Sequence, residues 1–88
     1  MQIHACIAQH LAATWNLVRM RIFGLATCSS VPRGWNSFCH RFCELAESVG
    51  IHQMESKSVA EIGDWLKENS FPEEVVQIFR GEIVSVLN

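Results

Sequence analysis

The first 43 residues of this 88-residue chain contain neither aspartate nor glutamate, and lysine does not occur before Lys57. Charge in this half comes from Arg19, Arg21, Arg33 and Arg41, a balance of +4, whereas residues 44–88 set nine acids against Lys57, Lys67 and Arg80, a balance of −6. Such a partition gives the two halves a reason to attract one another, and it also marks segments of different character. Equally absent are a glycine-rich phosphate loop, a serine-hydrolase motif and any carboxylate pair distinguishable from a solvated helix face. His40 or His52 beside a cysteine lacks the orienting third group that nucleophilic catalysis needs. The chain is therefore expected to be no enzyme and to carry no cofactor.

No run of about 20 uninterrupted apolar residues exists, so a membrane-spanning helix is not expected. Residues 3–18 come nearest, but His4, Gln9, His10, Thr14 and Asn16 interrupt them. The Arg19 and Arg21 pair follows that stretch, the reverse of a secretory signal. Without such a signal, Cys6, Cys28, Cys39 and Cys43 read as free thiols of a reducing, cytoplasmic setting. Cys39-His40-Arg41-Phe42-Cys43 places two thiols four apart, yet no second pair of ligands completes a zinc set, and the two read as small apolar residues of a helix face.

Helical periodicity is what the chain does possess. Ile3, Ile7, Leu11, Trp15, Val18, Ile22 and Leu25 recur at steps of three or four, which draws one long helix over 3–26. Val31-Pro32-Arg33-Gly34 reads as a turn. Asn36 is a candidate cap for a helix over 36–49, with Phe38, Phe42, Leu45 and Val49 on one face and Gly50 at its stop. Ser58 followed by Glu61 is a capping box opening a helix at Val59, and Asn69 is the expected terminator. Ser70-Phe71-Pro72-Glu73-Glu74 opens another, with two acids on the positive end of its dipole. No segment reads as a strand, so the fold class is all-α, with three or four short helices. Residues 1–53 form an N-terminal segment and residues 54–88 a second unit.

The second unit resembles the sterile alpha motif (SAM) domain, whose first helix shows an aliphatic residue, two variable positions and Trp-Leu. Here it stands as Ile62-Gly63-Asp64-Trp65-Leu66, followed by the Phe-Pro-Glu-Glu turn at 71–74 and Val75-Val76-x-x-Phe79. The likeness covers residues 57–82 and makes Val59, Ile62, Trp65, Leu66, Phe71, Val75, Val76 and Phe79 the expected core. It implies a non-enzymatic protein-interaction module that docks other proteins, SAM domains among them, with Glu73, Glu74 and Glu82 as candidate acidic contacts. The family's third, fourth and fifth helices have no counterpart after Glu82, so a truncated bundle is expected, able to cap a SAM polymer but not to extend it. Two helices of about ten residues are marginal alone. Either the N-terminal half completes their core or the unit is poorly folded.

Two other accounts concern residues 1–53. Met54-Glu55-Ser56-Lys57 resembles an ordinary protein start, which would make the upstream half foreign to the module. Alternatively, its acid-free, arginine-bearing stripe suits a mitochondrial targeting segment or a helix lying on a membrane surface, with the SAM-like tail incidental. Nucleic acid is not an expected partner: the SAM-like segment is acidic and the upstream arginines do not share one helical face.

Overall fold

The computed structural model describes residues 3–87, with side chains from Leu11 to Leu87. Its elements are α1 (Ile3–Gly24), a 3-10 turn (Leu25–Thr27), α2 (Trp35–Val49), α3 (Ile51–Met54), α4 (Val59–Glu68) and α5 (Glu73–Leu87). No strand occurs among the described residues, so the all-α class holds. The side chains of Ile3 and Ile7, with those of His4, Cys6 and His10, lie outside the described residues.

α1 matches the expected long helix, except that its last turn tightens into the 3-10 segment from Leu25. Leu11, Trp15, Val18 and Ile22 are buried along one side, and α1 packs chiefly on α5. α2 begins two residues earlier than the Asn36 cap predicts: Gly34, with φ 77°, takes the cap position without a side-chain bond, and Asn36 is exposed in the first turn. The earlier start brings Trp35 into the core, where its indole N–H donates to the Ile22 carbonyl at 2.6 Å. The Cys39 thiol lies 3.5 Å from the same oxygen. Ile22 stands in the last turn of α1, where carbonyls run short of helical partners, so α2 caps α1 from the side.

Gly50 ends α2 at φ 104°, a conformation that side-chain-bearing residues rarely adopt. The reversal there launches α3, a single turn that the sequence reading leaves out. Four residues are too few to show a helical period. Met54 is fully buried in α3, and the next residue, Glu55, accepts a 2.8 Å bond from the Ala12 backbone N–H through Oε2. The stretch resembling a protein start thus places Met54 in the core and is tied to α1 through Glu55.

α4 opens with the capping box. The Ser58 N–H donates to Glu61 Oε1 at 2.8 Å, and the Glu61 N–H donates to Ser58 Oγ at 3.2 Å. Its end differs from expectation: Asn69 keeps φ −97° and the left-handed residue is Ser70, φ 69°. The Phe71 N–H bonds the Leu66 carbonyl and the Ser70 N–H bonds that of Lys67, the paired pattern of a Schellman stop, which sets the left-handed residue one place later. Phe71 and Leu66 are both buried, giving that stop its apolar contact. Asn69 still serves the end of the helix, its Nδ2 donating to the Trp65 carbonyl at 2.8 Å. α5 then runs unbroken through Gly81 to Leu87, with Ile83 buried.

One apolar cluster joins all five helices and both halves of the sequence. Of the expected core, Ile62, Leu66, Phe71, Val75, Val76 and Phe79 are buried, while Val59 and Trp65 are partly buried against them. Phe79 stands at its centre. Its ring stacks on Phe42 at 4.7 Å and lies 5.0 Å from Trp35 and 6.0 Å from Phe71. Phe79→Ala is expected to cost about 3–5 kcal/mol in urea unfolding, against about 1 kcal/mol for removal of the Ser58 cap in Ser58→Ala. Equal losses would contradict the central place of that ring.

Candidate functional site

Glu73 and Glu74 occupy the first turn of α5, and both are exposed. Glu73 receives the Gln77 amide at 2.6 Å and the Lys67 ammonium at 3.0 Å. Those contacts, the Gln77 bond foremost, hold its carboxyl below the usual range. Glu82 does not join them. Nine residues further along the same helix, it stands about 13 Å away along the axis and on the opposite side, where Arg21 Nε of α1 lies 2.9 Å from its Oε1. The three candidate acids therefore form one close pair beside α4 and a separate residue at the α1 contact.

The groups with chemical potential are largely engaged in joining helices. Trp15 Nε1 donates to Glu47 Oε2 at 3.1 Å, linking α1 to α2. Arg41 donates to the Asn69 carbonyl at 2.8 Å and lies 4.3 Å over the Phe71 ring, which fixes α2 against the α4 stop. A cation at a helix C-terminus complements the dipole there. Glu55 offers its second oxygen to His52 Nδ1 at 3.3 Å while binding α1 through the first.

Cys39 and Cys43 are buried, and Cys28 is an exposed thiol in the α1–α2 connection. Burial raises the Cys39 thiol from 9.0 to about 12, helped by Cys43 beside it. The Cys43 thiol is also raised by burial, with Arg19 partly opposing the rise. A thiol kept protonated is neither a ready nucleophile nor a ready metal ligand. Among the described residues, no group of three or more His, Cys, Asp or Glu side chains is arranged to hold a metal ion. Nor is any described helix long and apolar enough to cross a membrane.

What sequence reasoning missed is on the outside of α1. Leu17 is 53% exposed and Met20 is 69% exposed, the two most exposed large apolar side chains described. Met20 borders two shallow grooves. One is lined by Asn16, Arg19 and Phe23, the other by Leu17, Arg21, Ser85 and Val86 across the α1–α5 seam. The signal was present as a second row, Ala13, Leu17, Met20 and Gly24, hidden by the stronger stripe that enters the core. Comparisons with protein-family models, curated proteins and solved structures yield no match for this chain.

The raised Cys39 thiol carries a pH dependence. The unfolded thiol ionises near 9.0 while the folded one holds its proton to about 12, so the stabilisation from this group is complete below pH 9 and declines as pH rises toward 12. Urea midpoints should fall as the pH is raised from about 9 toward 12, the span between those two ionisations. A Cys39→Ala variant should show a shallower fall, and an identical slope would contradict the assignment.

Proposed function

We propose that this chain is a non-enzymatic protein-interaction module whose α4–α5 pair is SAM-like. The observation that carries the reading is the commitment of its reactive side chains to structure: the buried cysteines are held protonated, and Arg21, Arg41, Glu47 and Glu55 each bridge separate helices. What the surface offers to another molecule is shape, apolar area and charge. The short α4, its capped start at Ser58 and the acidic opening of α5 support the kinship, with α1 and α2 supplying the apolar surface that the family draws from its later helices.

On this reading Glu73 and Glu74 form the acidic contact for the basic end-helix surface of a SAM partner. Glu82 lies off that surface, nine residues along α5 on the side that faces Arg21. The reading of residues 1–26 as a membrane-surface or targeting helix has less support. Such a helix must present its apolar stripe to lipid, and Leu11, Trp15, Val18 and Ile22 are instead buried against the other helices.

Binding to a panel of intact SAM domains, measured by isothermal calorimetry on the full chain, tests the proposal. Glu74→Lys should weaken a complex by about tenfold or more at low salt, with less effect at high salt, as expected for an exposed charge contact. Full retention of binding by the Glu73→Lys, Glu74→Lys double variant would remove the acidic-surface reading. Absence of any SAM partner would remove the family-type function.

A further inference from the structure

Ala13, Leu17, Met20 and Gly24 are all exposed, and they follow one another at intervals of four, three and four along α1. That spacing forms a continuous seam on a helix, the kind along which two helices pack. Its sizes are ordered: small residues at both ends and large apolar ones in the middle. Turned about a two-fold axis midway between Leu17 and Met20, the seam meets itself in register. Leu17 then faces Met20 of a second copy, Ala13 faces Gly24, and the axes can approach closely at each end. Arg21 comes level with Asn16, so arginines are not opposed.

Shape and charge both point to the same occupant. Met20 is a ridge with a groove on either side, and a face that bears its own ridge beside its own grooves is self-complementary, as an isologous contact requires. An acidic peptide or an anionic membrane would require unspent cations at the rim. Arg21 is already bonded to Glu82 of its own chain, which leaves Arg19 as the single unneutralised cation lining these grooves, too little positive charge for either. We infer that the outer face of α1 is a homodimer contact, in which two copies pack antiparallel through Leu17 and Met20. The seam covers about three helical turns, an area at the low end for a specific interface, so the dimer is weak and reversible. This contact uses a different face from the acidic pair at Glu73 and Glu74, and it rests on the interaction reading only in taking the chain to act through its surface.

Sedimentation equilibrium of the full chain, from low micromolar to sub-millimolar concentration, tests it. The wild type should move reversibly from monomer to dimer. Met20→Glu and Leu17→Asp should each weaken dimerisation by about tenfold or more, since a buried unpaired charge opposes association. At low micromolar concentration, where the wild type is monomeric, their thermal midpoints should match it because both side chains are exposed. Val49→Glu, at the other exposed apolar residue and off the seam, should leave the dimer intact. A wild type that stays monomeric throughout, or a dimer indifferent to Met20→Glu, overturns the inference. So does a monomer that binds phosphatidylserine vesicles through Met20, which would assign the face to membrane. A monomer that still binds a SAM partner would overturn the dimer while leaving the proposed function standing.

Discussion

The ring of Phe79 closes the core, because it is where the two chemically unlike halves of the chain meet. It comes from α5, stacks on Phe42 of α2, and is flanked by Trp35 and Phe71, with Trp15 of α1 5.6 Å beyond Phe42. Aromatic residues bury more area than any other side chains and prefer such tilted and offset contacts. α4 and α5 alone are too short to be stable helices in water. Their stability comes from the apolar faces that α1 and α2 turn toward them, and the upstream half depends on the same contacts.

Charge orients this assembly without holding it. The acid-free half meets the acidic half at Arg21 and Glu82, and Arg41 sits on the carbonyl end of α4. Exposed ion pairs contribute about 0–1 kcal/mol each, far less than the burial of one aromatic ring. Directional bonds from a side chain to the backbone of another helix are more informative. Trp35 on the Ile22 carbonyl and Glu55 on the Ala12 N–H each fix the position of one helix against another. Those bonds make the junction around residue 54 part of the packed structure, with Met54 inside it.

Much of this architecture was legible in the residues. The stripe from Leu11 to Ile22, the box at Ser58 and Glu61, the stop at Gly50 and the apolar positions of α4 and α5 all follow from spacing and local chemistry. The misses share a cause, which is that tertiary contacts select among local options of similar energy. Asn69 and Ser70 can both stand near a helix end, and the burial of Phe71 against Leu66 decides that Ser70 takes the left-handed place. Asn36 is the better cap on local grounds, but Trp35 must reach Ile22, and the helix starts at Trp35 with Gly34 as its cap. α3 has no period to read. Among the candidate contacts, Glu73 and Glu74 adjoin by sequence, whereas the separation of Glu82 follows from a helix continuing past Gly81 and from an arginine 61 positions upstream.

The interaction reading and the fold have one root: reactive groups serve the junctions between helices, and the surface retains an acidic corner on α5 and an apolar seam on α1. The central claim is that the two halves share a single core and neither is a domain alone. Far-UV circular dichroism of residues 54–88, melted beside the full chain, tests it most directly. The account predicts a cooperative transition for the full chain and a largely unfolded, non-cooperative signal for the fragment. A fragment that is helical and melts cooperatively at the midpoint of the full chain would contradict it.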